Sequence, residues 1–128
     1  MNESAEDYIK TIYILKCRNG SVRSVDVAHE LGFSRASVCA AMSNLRSKNM
    51  IRMDESGEIS FTEEGLKTAE DLFDRFTTLC FFLQTVAGVD DQTAKEDACR
   101  IEHHISDRTY AGIRRYLGMF SGPNRDGK

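Results

Sequence analysis

The sequence predicts a mainly α-helical chain with a small β wing: a winged helix-turn-helix followed by a helical second domain. Three observations carry that expectation. Between Ser4 and Leu117, segment after segment repeats apolar residues at three- and four-residue spacing, the mark of amphipathic helices. A short helical segment and a longer one are separated by Gly32-Phe33, the layout of a helix-turn-helix. Two short strand-like runs then flank Asp54-Glu55-Ser56-Gly57, which reads as a hairpin.

Taken in order, residues 4–17 form the first predicted helix. Ser4 is a suitable N-cap, Glu6 and Asp7 suit the positive end of the helix dipole, and Asn19-Gly20 ends the segment. Its apolar stripe is Tyr8, Ile12 and Leu15, with Ile9 and Tyr13 beside it. A short helix over 24–31 follows, capped by Ser24, with Val25, Ala28 and Leu31 expected to face inward. Ser34 caps a third helix running to about Asn49, with Val38, Ala41, Met42 and Leu45 inward. The wing comes next, from Met50-Ile51-Arg52-Met53 and Ile59-Ser60-Phe61. Thr62 caps the longest helix, about 62–86, whose two apolar stripes (Leu66, Ala69, Phe73, Phe76, Cys80, Leu83 and Leu72, Leu79, Phe82, Val86) predict burial on two sides. Asp90 or Asp91 starts a fifth helix, and Ser106 or Asp107 a sixth to about Leu117. The resulting domains are 1–62 and 63–118, with 119–128 as a flexible, Gly- and polar-rich tail.

Composition narrows the function classes. A chain of 128 residues that is 41% apolar and 29% charged is ordinary for a globular protein. The formal net charge of −3 means that any nucleic-acid contact must come from a local patch. The N-terminus is acidic with no apolar run like that of a signal peptide, and the longest apolar run, Leu79–Leu83, is far too short to cross a bilayer. Cys17, Cys39, Cys80 and Cys99 follow no disulfide spacing. The expectation is a cytoplasmic protein with reduced thiols and no membrane partner. Nor is it an enzyme: a winged helix in so short a chain leaves little room for a substrate cleft.

Two segments carry chemistry. The third helix holds Arg35, Arg46 and Lys48 and no acid, and its first turns are mostly small. Ser34, Arg35, Ala36, Ser37, Cys39, Ala40 and Arg46 are therefore the candidate DNA contacts, with small side chains letting the backbone approach base edges and Arg35 able to reach guanine or phosphate. A plain three-helix bundle with a solvated third helix is the alternative. The wing tip (Asp54, Glu55, with Glu58 nearby) is acidic and disfavours phosphate contact. The second segment is Cys99-Arg100-Ile101-Glu102-His103. On a helix, Cys99, Glu102 and His103 share one face, so a thiolate, a carboxylate and an imidazole make a three-sided cradle for a divalent transition metal. The alternative is an amphipathic helix whose polar side happens to hold these types.

Three stretches together resemble the DtxR/MntR family of metal-dependent transcriptional repressors: Ala5-Glu6-Asp7-Tyr8-Ile9-Lys10-Thr11-Ile12-Tyr13, the winged helix through Thr62-Glu63-Glu64-Gly65, and Ala98-Cys99-Arg100-Ile101-Glu102-His103-His104-Ile105-Ser106. The resemblance covers about residues 4–117 and implies a homodimer in which each winged helix reads half of a palindromic, double-stranded operator. It implies Fe2+ or Mn2+ as corepressor; the softness of the Cys99 thiolate leans toward Fe2+ and would admit Zn2+ or Co2+ in vitro, and one metal per subunit is expected because the family's second site is unmatched. The family's principal metal site maps onto Asp7, Cys99, Glu102 and His103. Asp7 matches manganese-type members and Cys99 iron-type ones, so the set is a hybrid. The family's second metal site maps onto Phe76, Lys10 and Lys95, none of them a ligand type used there. A metal-independent regulator with a degenerate site, or a redox sensor built on Cys99, are the alternatives. The SH3-like domain of longer members has no counterpart in these residues.

Overall fold

A computed structural model describes residues 2–121 and, within the last helix, the side chains up to Gly118. The elements follow the order α1 (Glu3–Asn19), α2 (Ser24–Leu31), α3 (Arg35–Ser47), β1 (Ile51–Met53), β2 (Ile59–Phe61), α4 (Glu63–Phe82), a π-helical turn (Leu83–Ala87), α5 (Asp91–Ile101) and α6 (Asp107–Ser121). The chain divides into two compact units, one ending at Phe73 and one beginning at Asp74. Of the tail expected over 119–128, residues 122–128 lie outside the described residues, and α6 runs to Ser121, past the expected end near Leu117.

The first unit is built around one apolar core. Ile9, Ile12, Val27, Val38 and Ile59 are fully buried, joined by Tyr8, Leu15, Val22, Met42, Leu45 and Ile51. Burying each large aliphatic side chain contributes about 1.5–3 kcal/mol, so this cluster fixes the three helices and the wing against one another. Asn2, and not Ser4, caps α1: its side chain accepts from the Ala5 N–H at 2.8 Å. Both residues are good caps, and the one whose oxygen meets a free N–H decides the start. Arg23, and not Ser24, holds the N-cap position of α2, where the Asp26 carboxylate accepts from the Arg23 N–H at 2.8 Å. Val25 is 51% exposed, against expectation, while Val27 is buried. Helical spacing puts Val27, Ala28 and Leu31 on one face and swings Val25 off it.

Between α2 and α3 the chain turns at Gly32, whose φ of +70° suits a residue without a Cβ. Ser34 caps α3 as expected, its Oγ accepting from the Ser37 N–H at 3.1 Å. α3 stops at Ser47, two residues early, and Asn49 takes a left-handed φ of +61°. β1 and β2 pair antiparallel with Ile51 opposite Phe61 and Met53 opposite Ile59. At the wing tip the Asp54 carboxylate accepts from the Ser56 N–H (2.9 Å), the Ser56 hydroxyl (2.7 Å) and the Glu58 N–H (3.0 Å). These bonds to the charged form hold its carboxyl below the usual aspartate value of 3.8. One of the acids of the tip is thus the residue that forms the turn.

The wing is stapled to the start of α4. The buried Thr62 hydroxyl donates to the carbonyls of Asn49 (2.8 Å) and Met50 (3.2 Å), and accepts from the Gly65 N–H at 2.9 Å. Gly65 is required there because a Cβ would stand 1.9 Å from the Met50 carbonyl oxygen. Further along α4, Ala69 and Leu72 enter the first unit's core, whereas Leu66 is 41% exposed and does not complete the expected stripe.

In the second unit, α4 widens into the π-helical turn at Leu83 and stops at Gly88. Asp90 caps α5, accepting from the Thr93 N–H at 2.8 Å, and that contact with Thr93 keeps the Asp90 carboxyl below 3.8. Leu79, Ala94, Ala98 and Leu117 are buried. Phe81, Val86 and Tyr116 stay 44%, 49% and 42% exposed, and Val86 and Tyr116 line an apolar hollow with Phe82 and Ile113. Ser106 caps α6 through the Thr109 N–H at 3.1 Å. Among the described residues no helix is long and apolar enough to cross a membrane.

Candidate metal centre and recognition helix

α5 ends at Ile101, just before two of the four predicted ligands, Glu102 and His103. Cys99 is in the last turn of the helix and is half-buried. Glu102 follows as the C-cap with φ −58° and ψ −27°, still right-handed, and His103 lies in the turn beyond. Because Glu102 keeps a helical backbone and donates its N–H to the Ala98 carbonyl at 2.9 Å, the helical spacing persists past the helix end. The expected convergence therefore holds: ligand atoms of Cys99, Glu102 and His103 lie within 4.8 Å of one another. Glu102 Oε2 and His103 Nε2 are 3.5 Å apart, with the two side chains 0% and 1% exposed.

The donor set suits a transition metal. Sulfur, nitrogen and oxygen on borderline ligands fit Fe2+, Mn2+, Co2+ or Zn2+, whereas Ca2+ and Mg2+ favour all-oxygen shells. A carboxylate and an imidazole withdrawn from water at 3.5 Å form an ion pair only if the histidine is protonated. With a neutral imidazole, which is the form that ligates, His103 and Glu102 both offer lone pairs to a cation.

Asp7, the remaining predicted ligand, stands in the first unit on α1, half-buried in the second turn. The positions mapped to a second metal site are occupied otherwise. Lys10 is buried on α1, Phe76 is half-buried on α4, and Lys95 on α5 pairs with Asp91 one turn earlier at 3.1 Å.

All seven predicted DNA contacts are exposed: Ser34, Arg35, Ala36, Ser37, Cys39, Ala40 and Arg46. The buried side of α3 is Val38, Met42 and Leu45. Ser43 was not singled out from the sequence, yet it is exposed too and falls on the face of Ala36, Cys39 and Ala40 by helical spacing. That spacing was the signal that would have found it. Arg75, whose Nη1 donates to the Ile105 carbonyl at 3.2 Å just beyond these ligands, also carries no signal in the local sequence.

Comparison with known proteins agrees with this layout. Residues 1–57 match the iron dependent repressor N-terminal DNA binding domain, and residues 62–125 the iron dependent repressor metal binding and dimerisation domain. An HTH-type transcriptional regulator of Methanocaldococcus jannaschii is 28% identical over 121 residues, 94% of this chain and 97% of that protein. The transcriptional regulator MntR of Escherichia coli O157:H7 is 32% identical over 114 residues, covering 89% of this chain and 73% of the relative. The crystal structure of IdeR from T. acidophilum superposes with a TM-score of 0.79 at 26% identity, over 88% of this chain. The chain spans about half, 53%, of that solved protein. With a helix-turn-helix, a wing and a Cys-Glu-His cluster in the expected order, and with both domain matches, the chain belongs to the iron-dependent repressor family of metal-dependent transcriptional regulators.

Proposed function

We propose that this chain is a repressor that binds double-stranded operator DNA as a homodimer when one Fe2+ or Mn2+ per subunit is held by Asp7, Cys99, Glu102 and His103. Residues 1–62 bind DNA, and residues 63–118 bind metal and form the dimer. The observation that carries this reading is the burial of Glu102 and His103 beside Cys99, with ligand atoms within 4.8 Å. A bound metal supplies a fixed positive charge among these donors, and thiolate and imidazole extend the range to Zn2+ and Co2+ in vitro. Asp7 belongs to the helix that opens the DNA-binding unit, so a ligand set drawn from both units makes operator affinity depend on whether the four donors are held together. Phe76, Lys10 and the paired Lys95 supply no ligand, which supports one metal per subunit. The apolar hollow of Phe82, Val86, Ile113 and Tyr116 supports a seam with a second copy in the segment that matches a dimerisation domain.

Calorimetric titration of chelator-stripped protein with Mn2+, anaerobic Fe2+ and Co2+ tests the site. The expected result is one metal per chain, with Asp7→Ala folded but weaker for all three, and Cys99→Ser losing more affinity for Co2+ than for Mn2+. Two metals per chain, or binding unaffected by both substitutions, contradicts the ligand assignment.

A further inference from the structure

Glu102 and His103 stand where α5 gives way to a connection: α5 holds the near end through the Glu102 N–H, and the far end, residues 103–106, needs a brace of its own. Within the segment, the His104 and Ile105 N–H groups donate to the Ile101 carbonyl at 2.9 and 3.0 Å. From outside it, the brace is Arg75 on α4. Its Nη1 donates to the Ile105 carbonyl at 3.2 Å, and its Nη2 forms an ion pair with the Asp107 carboxylate at the start of α6. The guanidinium carbon lies 4.8 Å from the centroid of the Tyr110 ring, and the Tyr110 hydroxyl donates back to Thr78 Oγ1 at 3.3 Å on α4. The Arg75 side chain is 18% exposed and the Asp107 side chain 95%, so the ion pair lies at the surface and is screened, while the bond to the Ile105 carbonyl and the stacking on Tyr110 are the sheltered part of the brace.

We propose that Arg75 is a positioning residue of the metal centre: by gripping Ile105 and Asp107 it sets where Glu102 and His103 present their ligand atoms to Cys99. The inference rests on the metal-centre reading above. Arg75 is no ligand, and its charge on the Ile105 carbonyl and Asp107 acts through the backbone of residues 102–107. Outer partners of this kind tune metal affinity by fixing the orientation of the ligands they support.

Arg75→Lys is the test. The lysine keeps the positive charge, but its single ammonium cannot reproduce a planar fork shared between the Ile105 carbonyl and the Asp107 carboxylate. Co2+ is titrated into chelator-stripped wild type and variant, and visible and near-ultraviolet absorption reports cobalt geometry and thiolate ligation. Metal-free melting and light scattering monitor fold and assembly. The expected result is an unchanged metal-free fold, a roughly tenfold to hundredfold loss of Co2+ affinity and an altered cobalt spectrum. Equal affinity with an identical spectrum in the folded variant overturns the inference and leaves the metal centre standing. Absence of cobalt binding by the wild type overturns both. Should Arg75→Lys fail to fold, Arg75→Gln decides, since it removes the fork shared between the Ile105 carbonyl and Asp107: a loss of Co2+ affinity with an altered spectrum supports the proposal, and unchanged affinity with an identical spectrum overturns it.

Discussion

Gly65→Ala puts the joint between the wing and α4 to a quantitative test. A Cβ at this position would meet the Met50 carbonyl oxygen at 1.9 Å and its carbon at 2.8 Å. Contacts shorter than 3.0 Å are not sustained, so the first turn of α4 has to withdraw by about 1.1 Å, the difference between 3.0 and 1.9 Å. That shift stretches the Thr62 N–H bond to the Met50 carbonyl from 3.1 Å to beyond hydrogen-bonding range, and with it the 3.2 Å bond from the Thr62 hydroxyl. Two sheltered bonds at about 1 kcal/mol each, with strain of about 1 kcal/mol, exceed the gain of about 1 kcal/mol from alanine's higher helix propensity. The net expectation is a loss of about 2 kcal/mol, or a melting temperature lower by roughly 8–16 °C for a unit of this size. Urea unfolding followed by circular dichroism measures it. A variant as stable as wild type, or more stable by the alanine increment, would show that the backbone approach at Met50 is not as tight as described.

Further outcomes follow from individual residues. Arg35→Ala weakens binding to a duplex selected from a random pool by roughly 1–3 kcal/mol while sparing random duplexes, measured by fluorescence anisotropy; an equal loss on every sequence assigns Arg35 to phosphate. Asp54→Asn retains an oxygen that can accept the three turn bonds and removes a negative charge, so together with Glu55→Gln it leaves DNA affinity equal or higher; a collapse of affinity contradicts the account of the wing. Asp90 has its carboxyl lowered by bonding with Thr93, so its contribution to stability is present above 3.8 and is lost as pH falls through the lower folded value. Asp90→Asn, a cap without a titrating group, flattens that acid limb of the unfolding profile, and an unchanged limb refutes the assignment.

The elements that were legible in the sequence are those whose signal is local. Ser34 and Asp90 each cap the helix they precede, and two short runs around Asp54-Glu55-Ser56-Gly57 form the wing. Cys99, Glu102 and His103 converge as three- and four-residue spacing requires, even though α5 stops at Ile101, because Glu102 keeps a right-handed backbone. Where two local choices are nearly equal in energy, the spacing alone did not decide. Asn2 competes with Ser4 as a cap, and Val25 competes with Val27 for the inner face of an eight-residue helix. The π-helical turn at Leu83–Ala87 leaves no mark in the apolar repeat. Arg75 was out of reach for a different reason. Its partners Ile105 and Asp107 are 30 and 32 residues away, and no periodicity within one helix reports a pairing between helices.

Metal dependence of DNA binding is open to a single titration. Duplexes are selected from a random pool by the full chain in the presence of Mn2+, and binding of the enriched duplex is then followed by anisotropy as Mn2+ is added to chelator-stripped protein. The account predicts weak binding without metal, a rise that saturates at one Mn2+ per chain, reversal by chelator, and no such rise for Asp7→Ala. Tight binding to the same duplex in chelator, unchanged by Mn2+, would contradict it.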